Sequence, residues 1–155
     1  MNTFHDLFRQ PTRRVGDSFL PDRRAALFPG FVERSPKLHL WAPGQLGSVE
    51  GPRLLIAVAT WSGYDMNLLD LLEEAPAGGA RIEVFDIDSC QSTDELSHAI
   101  PGLGTPTQTP VVGYWVDGKF IESATGLDGR QLVARVCGLS PEAVETRMQT
   151  VLTRL

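Results

Sequence analysis

Few side chains in this sequence stand at spacings that support chemistry. Its two cysteines, Cys90 and Cys137, lie 47 residues apart, which is neither a disulfide framework nor a zinc-ligand pattern. Its three histidines, His5, His39 and His98, are scattered, and none shares a short spacing with a cysteine, so no built-in metal site is expected. Cys90 has Asp86, Asp88 and Asp94 for neighbours, and carboxylates raise a thiol pKa, which disfavours a reactive thiolate. Cys137 falls on the apolar face of a predicted helix, where a cysteine behaves as a small hydrophobe. A Cys90–Cys137 disulfide is conceivable, but a reducing compartment opposes it. A Ser–His–acid hydrolase has no support, because no nucleophile-elbow motif surrounds Ser62. Gly102-Leu-Gly104 before Thr105-Pro106 reads as a loop, not a nucleotide fingerprint.

The segment Trp61-Ser62-Gly63-Tyr64-Asp65 keeps two roles open. Ser-x-x-Asp is a good helix start, since Ser62 can accept a backbone hydrogen bond and Asp65 can complement the helix dipole. Alternatively, exposed aromatic residues beside a free helix end make a binding surface.

The elements that must hold these residues follow from periodicity. Lys37 to Ala42 alternates weakly and predicts a short strand. Arg53 to Thr60 is a continuous apolar run, as a strand buried on both faces requires. Ser62 to Ala75 predicts a helix with Met66, Leu68, Leu69, Leu71 and Leu72 apolar and Asp65, Asp70, Glu73 and Glu74 polar; Pro76 and Gly78-Gly79 end it. Arg81 to Ile87 alternates as a strand. Ser92-Thr-Asp-Glu95 has the capping-box form and predicts a short helix. Val111 to Val116 and Lys119 to Thr125 predict two strands joined by Asp117-Gly118, a type I′ turn signal. One of Tyr114 and Trp115 should face outward, and Trp41 and Trp115 read as packing residues. Asp128 to Gln131 opens a helix that Gly138 ends, and Ser140-Pro141 opens a last one carrying Val144, Met148, Val151, Leu152 and Leu155 at helical spacing. Strand–helix–strand units and a final hairpin imply an α/β fold, a mixed central sheet with helices on both faces.

Residues 1–36 show no persistent period and are punctuated by Pro11, Pro21, Pro29 and Pro36, which predicts an irregular arm ahead of a domain over 37–139 and an extra amphipathic helix over 140–155. The arm carries Phe4, Phe8, Phe19, Phe28 and Phe31, too many aromatics for a plain linker. They either dock on the host domain or order against another subunit. Residues 1–53 hold eight Lys/Arg against five Asp/Glu, net +3, and residues 54–155 six against fourteen, net −8. An acidic domain repels nucleic acid and anionic membrane. The longest apolar runs are too short for a membrane span, so no membrane insertion is expected. Met1 to Gln10 lacks an apolar signal region, which leaves a cytoplasmic location as the expectation.

The order of elements and several local signatures over residues 53–137 resemble the thioredoxin family. The family places Trp-Cys-x-x-Cys between its central strand and the next helix; here Trp61 and Gly63 are in register, while Ser62 and Asp65 stand in place of the two cysteines. Asp86-Ile87-Asp88, Thr109-Pro110 before a strand, the Asp117-Gly118 hairpin and Gly126 also match. The resemblance implies a cis Thr109–Pro110 bond. It also implies that Ile56 stands where the family often buries a carboxylate. With nucleophile, resolving thiol and buried acid replaced, a dithiol–disulfide oxidoreductase is not expected.

The function expected is a non-catalytic thioredoxin-like binding or assembly protein, an accessory subunit or adaptor with a protein partner and no resident cofactor. Trp61, Ser62, Tyr64, Asp65, Thr109 and Pro110 form one candidate binding surface, and Phe4, Phe8, Phe19, Phe28 and Phe31 another. The alternative is a glutathione-binding transferase-like protein using Ser62 and Tyr64, or a single-cysteine redox enzyme using Cys90.

Overall fold

The computed structural model describes residues 3–9, 14–15, 18–19, 23–41, 50–75, 79–87, 98–101 and 108–154. In chain order these form α1 (Phe4–Phe8), β1 (Arg14–Val15), β2 (Ser18–Phe19), α2 (Arg23–Glu33), β3 (Leu38–Leu40), β4 (Pro52–Val58), α3 (Gly63–Glu74), β5 (Arg81–Asp86), β6 (Val111–Val116), β7 (Lys119–Thr125), α4 (Gly126–Cys137) and α5 (Pro141–Arg154). Asp88, Cys90, the capping-box segment at 92–95, Pro76, Gly78 and the Gly102–Pro106 loop lie outside the described residues, as do the side chains of Phe19, Val151 and Leu152.

The expected mixed sheet is present. Its strand order is β3-β5-β4-β6-β7, with β3, β4 and β5 parallel and β6 and β7 antiparallel to their neighbours. The apolar run of β4 puts it at the centre, and every residue from Arg53 to Val58 is buried. Its alternate residues feed two separate cores. Leu54, Ile56 and Val58 join the larger one, with α3, α4 and α5. Leu55 and Ala57 join Trp41, Phe85, Ile100 and Trp115 on the opposite face. Residues 98 and 99 are helical there, so helical chain lies on both faces. The hairpin turn has φ of 51° at Asp117 and 80° at Gly118, the left-handed pair that its sequence predicts. Trp115 is buried and Tyr114 half-buried against the larger core, so neither faces open solvent, because both sheet faces are covered.

The N-terminal arm departs from expectation in its described residues, where α1 and α2 form regular helices. Thr3 and Asp6 cap α1 reciprocally. Pro29 lies inside α2, although a proline removes a helix hydrogen bond. Tertiary burial outweighs that local penalty: Phe28 and Val32 enter the larger core, and the Phe4 ring packs 6.1 Å from Phe28 and 5.9 Å from Phe31. The signal was the spacing of Phe28, Phe31 and Val32, which places all three on one helix face. Among the described residues, no helix is long and apolar enough to cross a membrane.

Candidate functional site

The chain leaves the sheet at the end of β4 and turns sharply into α3. Ala59 and Thr60 are buried, and the amide of Ser62 donates to the Ala59 carbonyl at 2.9 Å. This turn swings Trp61 outward, 54% exposed. Ser62 is the N-cap: its hydroxyl accepts the Asp65 amide proton at 3.3 Å. Tyr64, one turn position later, is also exposed.

Asp65 does not lie on a solvated polar face. Its exposure is 0%, and its Oδ2 turns back to accept the Ala59 amide proton at 2.9 Å. The Thr109 hydroxyl also favours the charged form. Even so, no donor among the described residues completes a hydrogen bond to Oδ1. Burial outweighs the favourable contacts, Arg130 included, and pushes the Asp65 carboxyl up to about 6. A buried acid is therefore present at this site, supplied by the helix; the strand position beneath it, Ile56, is apolar and fully buried.

Thr109 and Pro110 approach from the other side, joined by a cis peptide bond as the resemblance implied. The Pro110 carbonyl accepts the Gly126 amide proton at 3.0 Å, which ties this loop to the start of α4. That helix begins at Gly126, slightly ahead of the expected Asp128. Gly129 permits its close approach, since a Cβ there would stand 3.1 Å from the Pro110 carbonyl and 3.2 Å from that of Ala124. One turn on, the Arg130 guanidinium lies 5.7 Å from the centre of the Tyr64 ring. Arg130 also grips Glu145 of α5 through Nε at 3.0 Å and Nη2 at 2.8 Å, and that pairing raises its pKa. Leu127, 46% exposed, adds an apolar side chain at the start of α4.

The structure thus brings Trp61, Ser62, Tyr64, Asp65, Thr109 and Pro110 to one end of the sheet. Leu127 and Arg130 belong with them and were missed in the sequence. An apolar residue between Gly126 and Asp128, where a first helical turn is usually polar, was the available sign for Leu127. Nothing local marked Arg130. The arm candidates fare differently. Phe4 and Phe28 are buried in the chain's own core and Phe8 and Phe31 are half-buried against it, so they are no free partner surface. Cys137 is also packed against that core, and burial pushes its thiol up to about 11.

A second polar centre lies further along α3. Asp70 is buried and accepts the amide protons of Phe4 at 2.7 Å and His5 at 2.9 Å, with its pKa also raised to about 6 by burial. It had been expected on the polar face; the arm covers it. A cleft of about 370 Å³ opens beside it, between Thr3 and Phe4 of the arm, Phe31 of α2 and Arg34 just after it, and Asp70 and Glu73 of α3. This cleft is lined by none of the residues at the Trp61 end.

Solved thioredoxin structures resemble the chain. Thioredoxin O1 of Arabidopsis thaliana, in its oxidised state, superposes with a TM-score of 0.50 at 15% identity, covering 66% of this chain and 97% of its own. Thioredoxin f of spinach chloroplast gives 0.47 at 15% identity, over 70% and 94%. A variant thioredoxin of Halobacterium salinarum gives 0.44 at 22% identity, over 74% and 94%. No family model and no curated protein matches the sequence. Strand order, the helical cover on both sheet faces and the Arabidopsis match agree: this chain has a thioredoxin-like fold.

Proposed function

We propose that this chain is a non-catalytic binding or assembly protein, an adaptor or accessory subunit that holds an extended stretch of a protein partner across Trp61, Tyr64, Thr109 and Leu127. One observation carries the proposal. At the helix start, where dithiol exchange needs two thiols, Ser62 is committed to capping and Asp65 is buried, while Trp61 and Tyr64 beside them stay exposed. A hydroxyl and a carboxylate cannot cycle through a disulfide. Cys137 offers no substitute, since its raised pKa keeps it a neutral thiol near neutral pH. Exposed aromatics beside Thr109 and Pro110 suit a polypeptide ligand, because rigid rings give contact area at small entropic cost.

Two measurements test this. Insulin-disulfide reduction by dithiothreitol should proceed at the uncatalysed rate with the protein present; acceleration would reverse the assignment, and its loss in a Cys90→Ser variant would transfer the chemistry to that thiol. Decapeptides selected on the immobilised protein should bind in calorimetry and lose at least tenfold in affinity on Trp61→Ala. Selected peptides that bind the Trp61→Ala variant equally well would move the binding face elsewhere.

A further inference from the structure

We infer that Asp65 is a proton switch for the Trp61–Thr109 face: gain or loss of one proton at its carboxyl rearranges both sides of that face. The inference rests on the proposed binding role of the face and adds its regulation. A fully buried carboxyl with an unmatched oxygen demands an explanation, since such groups are rare in folded proteins. The groups facing Asp65 from each described element supply one. The turn after β4 offers the Ala59 amide, already bonded to Oδ2. The loop before β6 offers the Thr109 hydroxyl. Helix α4 offers Arg130, whose charge is shared with Glu145 of α5 and which overlies Tyr64 of α3.

Each contact responds to the proton. When Asp65 is ionised, Thr109 must donate toward the carboxylate, Arg130 is drawn to it, and Oδ1 finds no donor among the described residues. When it is neutral, the carboxyl itself can donate, with the Thr109 hydroxyl as acceptor, and the pull on Arg130 vanishes. The first change acts on the residue preceding Pro110, the second on the stack over Tyr64. A ligand lying across the face removes water and so favours the neutral form. Binding then takes up a proton and tightens as pH falls, by about tenfold for each unit that the ligand raises the Asp65 pKa.

The test begins with the unliganded protein, so that it does not depend on finding a ligand. Amide shifts of Ala59, Tyr64 and Thr109 and the Trp61 indole signal, followed by NMR from pH 4 to 8, should share one midpoint near 6. Asp65→Asn should hold all four in their low-pH positions. Arg130→Met should move the wild-type midpoint up, by removing the opposing charge. Titration of Ala59 with no movement at Trp61 and Thr109 would overturn the switch, as would equal movement in Asp65→Asn or no titration in this range. A decapeptide selected at pH 5.5 should then bind more weakly at pH 7.5, and equally at both in Asp65→Asn. A pH-independent affinity in wild type overturns the coupling to binding. If no peptide can be selected, the binding role fails and the switch stands or falls on the amide titration.

Discussion

Asp65 and Asp70 lie on one helix, both buried and both with carboxyls raised to about 6, yet their hydrogen-bond partners differ. Asp70 meets two backbone donors, the Phe4 and His5 amides at the first turn of α1, and so clamps the arm to the body of the protein. Asp65 meets one backbone donor and, among the described residues, keeps an oxygen without one, under a surface of exposed rings. The same residue type on the same helix is thus a fastener where donors match its acceptors and a source of electrostatic tension where they do not. Stability and candidate function are separated along α3 for that reason.

The sharpest way to break the comparison is at the arm. Phe4→Ala should cost about 3–5 kcal/mol in urea unfolding, because it empties a site within the main core. A loss no larger than that of a surface change would mean that the arm is not part of the fold and that Asp70 clamps nothing.

Asp65→Asn should act with the opposite sign. The folded pKa of Asp65 lies above its unfolded value, so its contribution is fully present below about 4 and is lost as pH rises through about 6. At pH 8 the ionised group opposes folding, and an isosteric amide removes that opposition. The variant should be more stable than wild type by up to about 3 kcal/mol at pH 8 and indistinguishable below pH 4. Destabilisation at pH 8 would show that the carboxylate has found a second donor.

Asp70→Asn tests the contrast directly. Its pKa shift has the same sign, but an amide can replace only one of the two acceptors, and its NH2 would face a backbone N–H. A net loss of about 1 kcal/mol at pH 8 is expected in the same unfolding assay, with faster hydrogen exchange at the Phe4 and His5 amides. A gain in stability there, equal to that at Asp65, would erase the distinction. At the small end, Arg135→Ala should leave the unfolding midpoint unchanged, since its pair with Glu122 is open to solvent.

The strands and late helices were legible in the sequence because their signals are local. The unbroken apolar run of β4 and the Asp117-Gly118 turn each act within a few residues, and the structure places them where that patterning predicts. Strand β5 forms where it was expected, but its alternation did not foretell burial on both faces, which follows from its place between β3 and β4. Ser62 likewise caps α3 as its type and position suggest. Other features were settled only by what packs against what. Pro29 sits within a helix because Phe28 and Val32 are held in the core, and burial there outweighs a local penalty. Whether Asp65 and Asp70 faced water depended on α1, α4 and the Thr109 loop, which are distant in sequence. Helical spacing assigns a residue to a face of its helix, but only the assembled fold decides whether that face is wet, which donors reach it and what its charge then costs.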